Sequence, residues 1–329
     1  MNNFNAQIKP ALTFNQQLDH LINDKGLIVN NYDNALSILK HENYYRLSGY
    51  MIDFLDKNDN FIDNISFEDI YNVYKTDKEI RSTLFELIND IEVYLKTQLA
   101  NYFSLTYGPV GYLDPSNFNF KNHQEYIDII DFLKRCGEVN KRNASSLIIQ
   151  HHNNKYNGFV PVWALVELIP LGTISKFYSL LKTKDKKAIL KIGYNDISYE
   201  KLESFYHCVS YLRNQCCHYQ RLYRKNHPIK PKLYTPSNIN LGSFVSGSTY
   251  SLVLPLLYIN PNQSLGKRAI EKLKNIERNS KVDFVKNYGF EANWKNNLYL
   301  ANGHSLSNYI IKIVSSLICK TASLDNLAL

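Results

Sequence analysis

The sequence predicts an all-α fold, and three observations support this prediction. Apolar residues recur at intervals of three and four positions, the period that gathers them on one face of a helix. Runs that alternate between apolar and polar residues, which strands require, are scarce. Hydrophobic residues make up 44% of the 329-residue chain, so it is long and apolar enough to bury one large helical core or two packed ones.

The N-terminal part of the chain is predicted to be helical. Thr13 and Gln16 have the spacing of a capping box at the start of a short helix. Gly26 suits its end, because glycine readily adopts the left-handed conformation that ends many helices. A second segment over residues 43–55 has near-helical periodicity. We therefore expect an N-terminal helical region over residues 1–60.

A long helix is predicted to follow. Ser66 and Asp69 form its capping signature, apolar residues continue at helical spacing, and Gly108-Pro109 ends it. Its charged residues are expected to form an exposed face; they are Arg81, Glu86, Asp90, Glu92 and Lys96. Glu92 stands four positions before Lys96, the favourable order for an ion pair, and a salt bridge on the surface is the simplest interpretation.

The rest of the chain also predicts helices. The segments with helical periodicity are 122–135, 161–182, 198–224, 264–279 and 304–320. Between residues 228 and 248, proline, glycine, serine and asparagine are frequent, which indicates a loop or a boundary. We therefore divide the chain into three predicted parts: the N-terminal region, a central domain over residues 61–227, and a loop with C-terminal helices over residues 228–329.

The charge of the chain favours a polyanionic partner. Lysine and arginine number 38 against 30 acidic residues, which gives a net charge of +8 and a pI near 9.0. A basic protein attracts nucleic acid through its long-range field. Because no polybasic tail concentrates the excess, the charge alone is equally compatible with a merely soluble basic protein.

The cysteines and the hydropathy pattern indicate a protein of the cytoplasm. The cysteines are an odd set without CxxC spacing, which argues against a disulfide framework and against a zinc ribbon. They are Cys136, Cys208, Cys216, Cys217 and Cys319. No apolar run is long enough to cross a bilayer, and the first residues lack the pattern of a secretion signal. We therefore expect a cytoplasmic location and no membrane association.

Residues 205–224 of the helix predicted over 198–224 carry the side chains best suited to chemistry. The apolar stripe consists of Phe205, Val209, Leu212, Cys216, Tyr219 and Tyr223. The opposite half of the helix carries Arg213, Asn214, Cys217, His218 and Arg221. Arg213 and His218 are separated by about 7.5 Å along the axis and point in different directions, so they rarely meet on one atom. One helix therefore supplies half of a site, and a second copy of the chain would gather two arginines and two histidines around one phosphodiester.

These residue types fit the cleavage of RNA. An imidazole with a pKa near 6.5 can remove or return a proton at neutral pH. A guanidinium binds phosphate and stabilises the charge of the transition state. If the 2′-hydroxyl of the substrate attacks, the reaction requires neither a metal nor another cofactor, and it leaves a 2′,3′-cyclic phosphate and a 5′-hydroxyl. The Arg-x4-His pattern alone is weak evidence, because a solvated helix face explains it equally well.

Other interpretations of the same residues remain open. A Cys-His nucleophile from Cys216 or Cys217 with His218 is disfavoured, because adjacent side chains on a helix point about 100° apart and Cys216 lies on the apolar stripe. A zinc site is disfavoured because the nearby cysteines and histidines do not converge on one helix face. His151-His152 lies in a polar segment and fits a surface pair or an RNA contact. The main alternative is a non-catalytic module that holds RNA or a protein through Arg213, Arg221, Arg224 and Lys225.

The segment over residues 211–222, YLRNQCCHYQRL, resembles the signature of the abortive-infection AbiD/AbiF family, in which Leu-Arg-Asn is followed by Cys-Ala-His and by Arg-Leu. Further segments resemble the same family in the same order; they are 44–50, 81–96, 107–113, 162–175 and 288–294. The resemblance therefore covers residues from about 10 to about 300. Three positions depart from the family's usual residues: Lys96, Pro170 and Cys217.

The resemblance implies an activity and a set of site residues. The family is similar to the HEPN group of helical domains, whose active members are usually metal-independent ribonucleases that work as dimers. It implies an HEPN-like helical bundle with additional N- and C-terminal helices, and a toxin-like endoribonuclease of phage defence whose catalytic domain spans residues 61–227. By the same resemblance, Arg213, Asn214 and His218 are the catalytic residues, and Glu92 with Lys96 supports them.

The partners implied by the resemblance are an RNA substrate, a second copy of the chain and a cognate small non-coding RNA, without a metal or another cofactor. The predicted RNA-binding residues are Arg221, Arg224 and Lys225. They follow His218 on or just beyond the predicted helix, about one to two turns away. At that distance they are expected to hold the strand beside the cleaved bond.

Overall fold

A computed structural model describes residues 10–194, 197–232, 245–280 and 282–303. These residues form fourteen α-helices and no strand, with isolated bridge pairs only. The predicted all-α class is therefore confirmed. The described residues fall into two compact units: the first contains those up to residue 80 and those between 276 and 282, and the second contains the others.

The first unit is built from short helices and the beginning of a long one. Its helices are α1 (Phe14–Asp19), α2 (Tyr32–His41), α3 (Tyr44–Met51) and the start of α4 (Phe67–Tyr107). The predicted capping box of Thr13 and Gln16 is present at α1, and Ser66 with Asp69 forms the corresponding one at α4. Gly26 has a φ of +73° where the chain leaves the first helical segment. These local predictions are confirmed.

The second unit contains the rest of α4 and most of the remaining helices. They are α5 (His123–Arg142), α6 (Leu147–Lys155), α7 (Val162–Leu168), α8 (Leu171–Leu180), α9 (Thr183–Gly193), α10 (Tyr199–Cys217), α11 (Thr249–Ile259), α12 (Gln263–Ser280), α13 (Phe284–Tyr288) and α14 (Trp294–Gly303). The residues of α12 from position 276 onward are counted with the first unit. α11 is buried along its whole length and packs against α10 and α14. α8 packs against α10 as well. These contacts fix α10, the helix that carries the predicted catalytic residues.

Two helices predicted as continuous differ in the structure. The segment 161–182 forms two helices, because Ile169 takes an extended ψ of 141° before Pro170. Proline lacks the N–H that a helix needs and disfavours the α conformation in the residue before it. The helix predicted over residues 198–224 is α10, which ends at Cys217. The helix predicted over residues 304–320 lies outside the described residues, as does most of the predicted loop.

The predicted boundaries at residues 60 and 227 stay predictions. The division between the two compact units falls at residue 80, within α4. In the part of the chain that the structure describes, no helix combines the length and the apolar character needed to cross a membrane.

Candidate functional site

α10 ends in a tight turn of the Schellman type around the predicted catalytic histidine. His218 caps the helix, the Tyr219 N–H donates to the Cys216 carbonyl at 3.2 Å, and the Gln220 N–H donates to the Gln215 carbonyl at 2.8 Å. Tyr219 has a φ of +53°, the left-handed conformation that glycine more commonly supplies at this position. The predicted continuation of the helix to residue 224 is therefore wrong.

The chain reverses after this turn, so the predicted RNA-binding residues do not extend along the helix. The Lys225 ammonium donates to the Gln215 amide oxygen at 2.5 Å, although Gln215 lies ten residues earlier. Arg224 also has a left-handed φ, of +47°, and its N–H donates to the Asn287 carbonyl at 2.7 Å. The expected position of Arg221, Arg224 and Lys225 on or just beyond a longer helix is thus corrected. They lie on a segment that folds back beside the last turn of α10.

The predicted catalytic residues lie together at the C-terminal end of α10. Asn214 is exposed, and its backbone carbonyl accepts a hydrogen bond from the His218 N–H at 3.0 Å. His218 is exposed at the helix end. Arg213 is half-buried, and its Nε is shielded from solvent without a hydrogen-bond partner among the described residues. Such an unsatisfied donor costs about 1–3 kcal/mol, so a ligand or a partner chain that accepts a hydrogen bond here would relieve that cost.

Arg81, predicted to lie on an exposed face of α4, is buried, with 3% of its surface accessible. Its Nη1 donates to the Gln220 carbonyl at 3.3 Å, two residues after His218. A buried guanidinium requires acceptors of this kind, because an isolated charge is costly away from water. Arg81 therefore positions the turn that follows the candidate histidine. Sequence reasoning missed this role because it placed Arg81 on the exposed charged face of α4.

A buried histidine anchors the segment after the turn. The Tyr211 hydroxyl donates to Nδ1 of His227 at 3.1 Å, and Nε2–H donates to the Thr249 hydroxyl at 3.0 Å. The Thr249 hydroxyl donates its own proton to the Leu222 carbonyl at 3.1 Å. It therefore accepts the hydrogen bond from Nε2–H of His227, and the unprotonated Nδ1 accepts the one from Tyr211. Burial, and secondarily the charge of Lys225, lowers the pKa of His227 to about 4. His227 is therefore neutral at physiological pH and serves as a structural link.

The predicted support pair on α4 forms an ion pair that is mostly buried. Lys96 Nζ lies 3.0 Å from Glu92 Oε1, and the two side chains are 12% and 17% exposed. The interpretation as a salt bridge on the surface is therefore corrected. Loss of one partner of such a pair leaves a charge without compensation, which strongly destabilises a fold. The role of the pair in support of the site stays a prediction.

A basic cleft, which the sequence does not predict, is lined in part by the segment that follows α10. It has a volume of about 400 Å³, and Arg224 and Lys225 line it together with Lys286 of α13. None of its described lining residues is acidic. Lys286 lies far from the other two in the sequence, so only the tertiary fold brings these cations together. No sequence signal identified Lys286 or His227.

The structure adds little support for the alternative sites based on cysteine, zinc or the histidine pair. Cys216 is buried and Cys217 is half-buried. Within the described residues, no group of three histidine, cysteine or acidic side chains is placed to hold a metal ion. His152 is buried, and its Nδ1–H donates to the Ile148 carbonyl at 2.7 Å, whereas His151 is exposed. Of that pair, only His151 is placed on the surface.

The comparison with protein families covers the region that holds this site. A family model described as Abi-like protein matches residues 37–224, which is more than half of the chain and includes α10 with its terminal turn. No curated protein matches the chain, and no solved structure matches it. The chain therefore belongs to the family of Abi-like proteins, and this membership supports a role in phage defence by abortive infection.

Proposed function

We propose that this protein is a metal-independent endoribonuclease of an abortive-infection system, with an active site that a second copy of the chain completes. The observation that carries the proposal is the Arg213 Nε, which is shielded from solvent and has no partner among the described residues, five residues before the exposed His218. A phosphate oxygen would satisfy this donor through a charge-assisted hydrogen bond. The resemblance to HEPN ribonucleases supports the same assignment.

In the proposed reaction the substrate's own 2′-hydroxyl is the nucleophile. The His218 imidazole of one copy takes the 2′-hydroxyl proton as that oxygen forms a bond to phosphorus. The protonated His218 imidazole of the other copy gives a proton to the leaving 5′-oxygen. The bond between phosphorus and the 5′-oxygen breaks, which leaves a 2′,3′-cyclic phosphate and a 5′-hydroxyl. Arg213 stabilises the negative charge on the phosphate oxygens in the transition state. Asn214, four residues before His218, orients the imidazole or the substrate.

The strand beside the cleaved bond is proposed to follow the basic cleft. Arg224, Lys225 and Lys286 line that cleft without an acidic residue among the described lining side chains, so its charge attracts the phosphate backbone. Arg221 on the same folded-back segment adds a further cation. A cognate small non-coding RNA bound in the same cleft would compete with the substrate, and we propose such an RNA as the restraint on the activity.

The test is a cleavage assay with end-labelled RNA in the presence of EDTA. The wild-type protein should cut RNA and leave 2′,3′-cyclic phosphate ends, whereas His218→Ala and Arg213→Ala should cut at least a hundredfold more slowly, the order of a general acid–base contribution. His207→Ala is the matched control, because His207 is an exposed histidine on the same helix. Equal rates for His218→Ala and His207→Ala would overturn the proposed site.

A second candidate function is a non-catalytic module that binds RNA. The observation that favours it is the basic cleft, which lies outside the set Arg213, Asn214 and His218 and requires none of them for its charge. The same assay separates the two functions. RNA that is retained but remains intact, with and without added metal ions, would favour the binding module over the nuclease.

A further inference from the structure

A pocket in the second unit gathers aromatic rings that are open to solvent. It has a volume of about 760 Å³ and lies between the turn at Pro109 and the chain that joins α6 to α7. Tyr156, Phe159 and Trp163 line it, and their exposed fractions are 53%, 56% and 52%. Single apolar residues on a surface are ordinary, but three large rings around one pocket indicate a binding site.

Hydrogen bonds hold the walls of this pocket in place. The Tyr156 and Gly158 N–H groups both donate to the His152 carbonyl, at 2.9 and 3.1 Å. The Val162 N–H donates to the Pro109 carbonyl at 2.8 Å, which joins the start of α7 to the opposite wall. The rings are therefore presented by a fixed turn, and a ligand that stacks on them loses little free energy to the ordering of the loop.

Lys155 is the charged side chain among the described residues that line the pocket. Lys155 is exposed, and the exposed His151 has its ring centroid 5.6 Å from that of Tyr156. Neither aspartate nor glutamate occurs among the described residues that line the pocket. Aromatic faces next to cations are the combination with which proteins bind single-stranded nucleic acid, since the rings stack on bases and the cations attract phosphates.

We propose that this pocket binds an unpaired nucleobase of single-stranded RNA, an inference that rests on the proposed action of the protein on RNA. The base stacks on the faces of Trp163 and Phe159, and Lys155 contacts the adjoining phosphate. A base inside a duplex cannot present its faces in this way. The pocket therefore selects RNA with unpaired bases, in addition to the charge-based binding in the cleft of Arg224, Lys225 and Lys286.

Tryptophan fluorescence tests this inference directly. The chain has two tryptophans, and because Trp294 is only 2% exposed, a stacked base quenches chiefly Trp163. The probe is a 2′-O-methyl oligouridine of about eight nucleotides, a length within the usual range for such sites, which cannot be cut through its 2′-oxygen. An abasic oligonucleotide of equal length retains the phosphates but has no bases. Oligouridine should quench the fluorescence, and the abasic probe should not.

Substitutions link the signal to the pocket. Phe159→Ala should weaken oligouridine binding about 5- to 150-fold, the range for loss of one stacking ring, and should leave the affinity for the abasic probe unchanged. Phe120→Ala, which removes an exposed phenylalanine that does not line the pocket, should change neither. Trp163→Phe should keep the affinity and lose the quenching.

Two outcomes would overturn the inference: equal quenching by the abasic probe, or an unchanged oligouridine affinity in Phe159→Ala. The second outcome would leave the rings as a surface for a protein partner. The result is separable from that of the cleavage assay. Base-dependent quenching without cleavage would contradict the proposed nuclease activity and support the base-binding pocket. Cleavage without quenching would support the nuclease activity and contradict the base-binding pocket.

Discussion

The buried guanidinium of Arg81 donates to the Gln220 carbonyl at 3.3 Å, and this bond joins α4 to the turn that follows His218. Arg81 lies 139 positions before Gln220 in the chain, so the contact forms only when α4 and the end of α10 have packed. The conformation of the candidate histidine's turn therefore depends on the contact between α4 and the end of α10.

Replacement of Arg81 by methionine should destabilise the fold. Arg81→Met removes the donor to the Gln220 carbonyl and the interactions of a buried guanidinium, so we expect a loss of about 2–4 kcal/mol in the free energy of unfolding. Urea denaturation at neutral pH measures it. Arg142→Met is the control, because the Arg142 side chain is 76% exposed and its ion pair with Glu138 contributes little. Equal stability of the two variants would show that Arg81 does not hold the turn.

Acidification should destabilise the protein through His227. Its pKa of about 4 in the folded chain lies below the ordinary value of about 6.5, so the unfolded chain binds the proton first as the pH falls. The contribution of His227 to the free energy of unfolding is complete above pH ~6.5. As the pH falls from ~6.5 to the folded pKa, this contribution is lost at about 1.4 kcal/mol per pH unit.

The matched variant for this effect is His227→Gln, which retains hydrogen-bonding groups but does not titrate. Denaturation midpoints at several pH values between about 5 and 7.5 should fall less steeply for His227→Gln than for the wild type, because all other titrating groups are shared. Parallel pH profiles of the two proteins would contradict the assignment of His227 as a buried neutral link.

A variant without His218 should lower the activity of the wild-type protein when the two are mixed, if a second copy completes the site. A dimer of the wild type with His218→Ala contains one imidazole at the shared phosphodiester, so it lacks either the general base or the general acid of the proposed reaction. Co-refolded or co-expressed mixtures should therefore cut RNA more slowly than the wild-type protein in the mixture would cut by itself. Light scattering should give a mass of twice 38.3 kDa. A strict monomer with and without RNA would rule out the shared site.

Neutralisation of the basic cleft should weaken RNA binding and its dependence on salt. Arg224→Ala with Lys286→Ala removes two cations, and each lost phosphate contact lowers the slope of log affinity against log salt by about 0.7 for a single strand. Oligouridine titrations at several salt concentrations measure the slope. Lys121→Ala with Lys134→Ala removes two exposed lysines that do not line the cleft. The RNA path lies elsewhere if both double variants give the same slope.

Local signals predicted much of the fold. The capping boxes at Thr13 and Ser66 were predicted correctly because each depends on residues three positions apart. The end of α10 was missed because its left-handed residue is Tyr219, and helix ends are read from glycine or proline. Burial of Arg81 and the approach of Lys286 to Arg224 depend on contacts between distant segments, which periodicity does not encode.

The reversal of the chain after His218 places the proposed catalytic residues and the proposed RNA-binding residues on two different segments. Residues 213–218 belong to α10 and its cap, whereas Arg221, Arg224 and Lys225 lie on a segment with its own anchor at His227. Under the proposed function, a substitution at Arg224 would change how tightly RNA is held, while α10 would still present Arg213 and His218.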